Sequence, residues 1–333
     1  MNKKLIFSGS LILGVVLTVI IYFSIGNILK PFKQAPIYLL AGYVFIVLFI
    51  HFLHTVRWKL ILDTTGHRLS LGKLFGFWIM GYSLNYITPT AHVGGEPLKA
   101  AMLKESKVPY HDGVSSIFID KSLEVVADGF FALTGLSLVI LSFALPKTVI
   151  LNYLLVSVIC IITLIWIFFN ALKRKNAWHS TFKFLRLDRI RYFKRMESTV
   201  KKTGDNIHNF FIMHKGVFRI SVALSLVMWG LMFVEYKLLF LILGFDATPL
   251  QLFVIISFVG LAYVIPVPAA LGVLEAGQLS AFSILSLDAP LGIAASIVIR
   301  AKDFLITIAG MIMISIKGLG ALKSIKEADE NEE

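Results

Sequence analysis

"TPTAHVGGEPLKAAML", residues 88–103, decides how this chain has to be read. It follows an uncharged apolar run, 74–88. It then brings Pro89, the pair Gly94 and Gly95, Glu96 and Lys99 into a stretch where a membrane-spanning helix would continue. Proline removes a backbone donor and breaks the helix. Irregular backbone is tolerated at membrane depth only where it is buried in protein or lines a watery cavity. The stretch is therefore either the tip of a hairpin that turns back inside the membrane or a helix end at the water interface. The rest of the sequence has to separate the two.

Of 333 residues, 57% are hydrophobic, against about 45–50% apolar in soluble domains, which reads as a polytopic membrane protein. Lys3 and Lys4 before an uncharged run at 5–29 resemble a signal peptide. That run is longer than the roughly 7–15 residues of such a core, and no small-residue cleavage site follows, so it reads as a retained first span. The single cysteine, Cys160, excludes an internal disulfide and a Cys-based metal site. The net charge of +12 is concentrated at 173–202, where eleven Lys or Arg follow an apolar run. That is the pattern of a cytoplasmic positive-inside loop, and no nucleic-acid fold pattern accompanies it.

A helix needs about 20 apolar residues to span a membrane. Six segments qualify: 5–28, 36–56, 113–143, 149–171, 217–243 and 289–316. Two more apolar runs, 74–88 and 250–265, are too short, and each ends in a cluster of breakers: Pro89, Gly94 and Gly95 in one, Pro266, Pro268 and Gly272 in the other. If 74–88 crossed the membrane, Lys99, Lys104 and Lys107 would lie outside. If it turns back, they stay inside with Arg57, Lys59, Arg68 and Lys73. The expected fold class is accordingly all-α, with about six spans and two opposed re-entrant hairpins, both termini cytoplasmic. Lys30 and Lys33 are the exceptions to this charge balance. The expected organisation is one transmembrane domain, 1–320, with a basic cytoplasmic loop at 172–216 and a disordered acidic tail at 321–333.

The halves repeat weakly. "RWKLIL" (57–62) matches "EYKLLF" (235–240), "PTAHVGGE" (89–96) matches "PAALGVLE" (268–275), and "SIFIDKSLEVVADG" (116–129) matches "SIVIRAKDFLITIAG" (296–310), in the same order and at nearly constant offset. With one hairpin entering from each side, the units 36–143 and 217–316 form an inverted repeat. In transporters of that build, broken helices frame a mid-membrane site between the repeats. Glu96 and Glu275 mirror one another at the two breaks; the alternative for each is a water-facing residue beside glycines that allow close packing.

Charges inside spans are costly and usually face a cavity. Asp120, Lys121, Glu124 and Asp128 fall on one stripe of the 113–143 helix at about 100° per residue. Arg300 and Asp303 share a face of the last span, whereas Lys302 points largely away. The competing reading is a structural lattice, Lys121 with Glu124 and Arg300 with Asp303. Glu235 and Lys237 read as packing or interface residues, and His51 and His54 as structural histidines, since no metal spacing surrounds them. A headgroup path is expected along Glu96, Lys99, Lys121, Glu124, Asp128, Glu275, Arg300 and Asp303. The segment 182–196 alternates apolar and basic residues, which fits either an interfacial helix on anionic lipid or a solvated loop.

The motif Pro89-x4-Gly94-Gly95-Glu96-x2-Lys99, the later "PVPAALGVLE" (266–275) and the mid-span Arg300 together resemble the lysylphosphatidylglycerol synthase transmembrane-region family, over residues 5–320. The resemblance implies a flippase-like protein of a bacterial or archaeal cytoplasmic (inner) membrane. Members with two parts carry a C-terminal aminoacyltransferase domain, which this sequence lacks, so aminoacyl transfer is not expected of it. Lys99 stands where such proteins often carry arginine, and an ammonium lacks the bidentate phosphate geometry of a guanidinium. The leading functional reading is a flippase for a polar-headgroup phospholipid. The alternative is a non-transporting accessory or scaffold subunit of a membrane glycosyltransferase or lipid-modifying enzyme. No HExxH, GxSxG or Walker A motif is present, so neither an enzyme nor a nucleotide-driven pump is expected. The expected partners are membrane lipids, and either a second copy or a lipid-modifying enzyme. No cofactor, metal or nucleic acid is expected.

Overall fold

The computed structural model describes residues 31–90, 93–142 and 197–318, and among these all regular structure is helical. The expected spans at 5–28 and 149–171, the segment 182–196 and the tail 321–333 lie outside the described residues. Nine α-helices follow in order: α1 (Ile37–Asp63), α2 (Leu71–Ile87), α3 (Glu96–Glu105), α4 (Tyr110–Ser142), α5 (Glu197–Met213), α6 (Lys215–Ile242), α7 (Pro249–Val264), α8 (Val273–Ile284) and α9 (Ala289–Met313). Two of the helices, α1 and α6, are long and apolar enough to cross a membrane by length and composition. The basic stretch before α6 is helical from Glu197 onward, and one residue, His214, joins α5 to α6.

Local chemistry sets the helix ends. After Pro36, α1 is an almost unbroken apolar run, and it stops where Thr64 and Thr65 turn their hydroxyls onto the Ile61 and Leu62 carbonyls. Gly66 then takes a left-handed φ of 85°, a conformation that costs glycine nothing. α7 starts at a capping box, Thr248 with Gln251, with Pro249 in the first turn. α1 runs one and a half turns or more past the expected end of its span, through Arg57 to Asp63. The charge that reads as a span end is buried in the bundle, for a reason given below.

The two breaker clusters each separate a longer helix from a short one. Thr88 is extended, as the residue before a proline prefers to be, and Pro89 ends α2. Gly95 sits so close to Gly81 that a Cβ would land on the Gly81 carbonyl oxygen. At the second cluster Ile265 is extended before Pro266, and Ala269 and Ala270 are held at φ of 51° and 47° ahead of Gly272 at 76°. The short helices fold back on their partners: α3 packs on α2, and α8 on α7.

The packing has a regular pattern. α1 packs along α6. α2 packs on α9 as α7 packs on α4, α3 on α4 as α8 on α9, and α1 on α4 as α6 on α9. Two close crossings rest on the same residue pair. Gly310 of α9 faces Ser83 of α2, and Gly135 of α4 faces Ser257 of α7, each with no room for a Cβ. Each serine hydroxyl is turned onto the carbonyl four residues back, 2.8 Å away in both cases, so the crossing carries no unsatisfied hydroxyl. Small residues at such points let backbones approach. One apolar core joins α1, α6, α7, α8 and α9 around Trp229, Phe240 and Phe282; a second joins α1 to α4 around Trp58, Met80 and Leu103. α5 docks through Ile207 and Phe210 onto Ile61 and Ile119.

Gly95→Ala is expected to destabilise by about 1–3 kcal/mol, the usual range for overpacking, because its new methyl group meets backbone rather than a movable side chain. Gly216→Ala, with open space around it, should leave the melting midpoint of the detergent-solubilised protein at the wild-type value. Equal midpoints for the two variants would contradict this account of the first break.

Candidate functional site

A cavity of about 160 Å³ lies where α1, α4 and α6 meet, with α2 and α9 contributing at its margin. Its wall carries five charged side chains: Arg57 from α1, Glu124 and Asp128 from α4, Glu235 from α6 and Lys302 from α9. His51, His54, Tyr82, Ser225 and Trp229 add polar and aromatic surface. A space this small holds a few water molecules at about 30 Å³ each or a headgroup-sized fragment, and not a whole lipid.

Arg57 organises the wall. It is 1% exposed, and its guanidinium donates to Asp120 at 2.7 Å and to Ser225 at 2.8 Å, with Glu124 at 3.7 Å and His54 at 3.5 Å. One side chain thereby ties α1 to α4 and α6. Taking an unpaired ion out of water costs several kcal/mol, and the contacts with Asp120 and Ser225 offset part of that cost where α1 is buried at this position. Lys121 pairs with Glu124 at 2.6 Å, as the lattice reading expects. Asp128, one turn further along α4, makes no ion pair among the described residues; its partner is the Trp229 indole, which stacks on Phe131 at 4.0 Å between centroids.

At the α9 side, Lys302 donates to Glu235 at 2.8 Å and lies 3.5 Å from Asp303. Asp303 in turn accepts the hydroxyls of Tyr82 at 2.8 Å and Tyr263 at 2.7 Å. The helical-wheel reading that turned Lys302 away from the site is corrected here: its long stem carries the ammonium across to α6. Glu235, expected to be a packing residue, is the carboxylate that receives it. Arg300 does not pair with Asp303.

Each break has its own polar lock. At the first, Asn85 of α2 accepts the Gly95 amide at 2.6 Å and donates to Glu96 at 3.3 Å, while Lys99 lies 3.2 Å from Glu96. Lys99 is 4% exposed and is covered by indoles, 4.0 Å from the Trp78 ring and 5.6 Å from Trp58, an arrangement that stabilises a cation. His54 stacks on Trp78 with centroids 4.7 Å apart, and His51 receives the Trp78 indole N–H at 3.3 Å. At the second break, Arg300 reaches over from α9 to grip Glu275 at 2.5 and 2.7 Å and donates to the Ala269 and Ala270 carbonyls at 2.7 and 3.0 Å. Glu275 also accepts the Gly272 amide at 3.0 Å.

The expected site residues therefore fall into three groups. Glu124 and Asp128 line the cavity, with Lys121 and Asp303 one contact behind its wall. Glu96 and Lys99 sit at the first break, and Glu275 and Arg300 at the second; none of these four borders the cavity. A single connected path along all eight is not what the geometry gives. Arg57, Glu235 and Lys302 belong to the wall, although sequence reading assigned them to a loop, to packing or to no role. Asn85, the first-break residue missed, was legible as the one amide inside the apolar run 74–88. Among the described residues no group of three His, Cys, Asp or Glu is arranged to hold a metal ion.

Residues 5–310 match the model of the family described as the lysylphosphatidylglycerol synthase TM region, and the chain belongs to that family. It is similar to a UPF0104 membrane protein of Methanothermobacter thermautotrophicus, 24% identical over 94% of this chain and 93% of the relative. A second protein of that name in the same organism is 26% identical over 93% of each chain. A UPF0104 membrane protein of Pyrococcus horikoshii is 22% identical over 91% of this chain and 95% of its own length. No solved structure matches. The chain is thus a membrane protein with archaeal relatives, and its regular structure is helical throughout the described residues.

Arg57→Met strands Asp120 as a buried, unpaired carboxylate and is expected to destabilise by about 3–5 kcal/mol. Adding Asp120→Leu should recover most of the lost thermal midpoint in detergent. A double variant no more stable than Arg57→Met alone would show that the pair does not set the position of α1.

Proposed function

We propose that this member of the family is a lipid translocase, carrying a polar, phosphate-containing headgroup through the space between two inverted repeats of the cytoplasmic membrane. One observation carries the reading: a charged cavity set inside apolar helices, at the junction of α1, α4 and α6. Five charged residues around about 160 Å³ are more than helix packing needs, and charge retained among spanning helices marks a substrate or ion path. The packing pattern supports the repeat, since exchanging α1 to α4 for α6 to α9 reproduces most of the neighbouring pairs, the α4–α6 contact being the exception. In this reading α2 with α3, and α7 with α8, are the re-entrant hairpins, entering from opposite faces, and both termini are cytoplasmic. Only the headgroup enters the cavity; the acyl chains stay in the lipid. The chain carries no nucleotide motif, so movement is passive or ion-driven.

The test is leaflet exchange. Purified protein in vesicles containing a trace of headgroup-labelled fluorescent phospholipid should let an impermeant reductant bleach label from both leaflets. Bleaching limited to the outer leaflet, at the level of protein-free vesicles, would sink the reading. Asp128→Asn removes a cavity charge that makes no ion pair among the described residues and keeps an acceptor for the Trp229 indole, so its folding cost should stay within about 1 kcal/mol. Its exchange rate should fall about tenfold, the effect of some 1.4 kcal/mol on a barrier. Exchange at the wild-type rate would remove Asp128 from the path.

Topology is tested separately. In a Cys160→Ala background, single cysteines at Lys104, in α3, and at Asp246, between α6 and α7, should react with an impermeant thiol reagent from opposite sides of the membrane. Labelling of both from one side would contradict the hairpin arrangement.

A further inference from the structure

On the face of α1 turned away from the cavity lies a second concavity, built of different chemistry. Phe45, Leu48, Phe49 and Phe52 of α1 and Leu71, Gly72 and Phe75 of α2 surround a groove of about 390 Å³ with almost no polar lining. The three phenylalanines of α1 stack in series, with centroids 5.6 and 6.2 Å apart. Phe45, Leu48 and Phe52 are exposed, at 62%, 50% and 40%. Gly72 forms part of the floor, and a Cβ there would meet nothing within 4 Å.

The groove has a direction. The Trp78 indole donates to His51 and stacks on His54, which fixes the antiparallel register of α1 and α2. Leu71 and Gly72 then lie at one end and Phe45 at the other. Counting helical rise from Trp78 back to Leu71 and from His51 back to Phe45 gives about 20 Å, somewhat more than half of a hydrocarbon core about 30 Å thick. The Leu71 end is cationic. Arg68 and Lys73 are both exposed there, and neither forms an ion pair among the described residues; Lys73 lies 5.9 Å from the Phe77 ring. The first turn of α2 begins at Ser70 without a side-chain cap, so its free amides add to the positive end. Apolar and leaflet-deep at one end, cationic at the other, the groove is complementary to an anionic amphiphile.

The geometry points to a resident site for one anionic membrane phospholipid, with an acyl chain along Phe45, Phe49 and Phe52 and its phosphate between Arg68 and Lys73. The site lies outside the cavity and does not depend on transport. Its ligand is a lipid that stays with the protein rather than one that passes through it.

The experiment is native mass spectrometry of the full chain, released from detergent containing equal amounts of phosphatidylglycerol and phosphatidylcholine with matched acyl chains. Wild type should retain one phosphatidylglycerol, with a preference of about fivefold for each of the two cations. Arg68→Gln with Lys73→Gln should hold either lipid without preference. Gly72→Phe, whose Cβ has open space and whose ring would occupy the groove, should retain neither at wild-type melting behaviour; if Gly72→Phe does not give folded protein, Gly72→Leu is read in its place. Undiminished preference in the charge variant would overturn the assignment, as would undiminished retention in the filled-groove variant. A filled-groove variant that turns a dimer into a monomer with lipid retention intact would assign the face to a second copy of the chain and likewise overturn it.

Discussion

The structure depends on one constraint, the neutralisation of charge among apolar helices. Arg57 is the clearest case. Alone at that depth it would be among the costliest residues in the chain; bonded to Asp120 and Ser225 it fixes α1, α4 and α6 in place. Lys302 with Glu235 and Asp303 does the same between α9 and α6. Side chains this long hold helices apart where glycine and serine draw them together, as at Gly310 with Ser83 and at Gly135 with Ser257. The crossings tie α2 to α9 and α4 to α7, the ion pairs tie α1 to α4 and α6 to α9, and the cavity lies among these helices.

The two breaks occupy matching places and are locked by unlike means. The first is held mainly from α2, by Asn85 on the Gly95 amide and Glu96. The second is held from another helix, by Arg300 on Glu275 and on two carbonyls. Those carbonyls belong to Ala269 and Ala270, whose left-handed backbone costs roughly 1–2 kcal/mol per residue. Strain at the second break is therefore held by a side chain of α9, the helix that also brings Lys302 to the cavity wall. A shift of α9 would act on both at once.

Much of this was legible in the residues. The breakers at 89–95 and 266–272 mark where α2 and α7 end, and the acidic stripe of α4 delivers Glu124 and Asp128 to the cavity as its periodicity implies. What the sequence does not contain is pairing across long separations. Nothing local links Arg57 to Asp120, Tyr82 to Asp303 or Lys302 to Glu235; those contacts exist only once the helices are packed. The same gap explains the early end given to the second span, because hydropathy counts Arg57 as a free charge and packing makes it half of a neutral pair. It also explains Lys302, whose Cα direction says little about where an ammonium on a four-carbon stem comes to rest.

The central claim is that the cavity is a polar path inside the membrane protein and not a dry gap in its packing. The most direct measurement is thiol accessibility in vesicles. Single cysteines at Met228 and Met232, which line the cavity, are compared with cysteines at Leu226 and Val227, which face outward from the same helix, all in a Cys160→Ala background. A small charged methanethiosulfonate reagent should modify the Met228 and Met232 positions and spare the Leu226 and Val227 positions. Protection of all four would mean that no water reaches the charges at the junction of α1, α4 and α6, and would contradict the account.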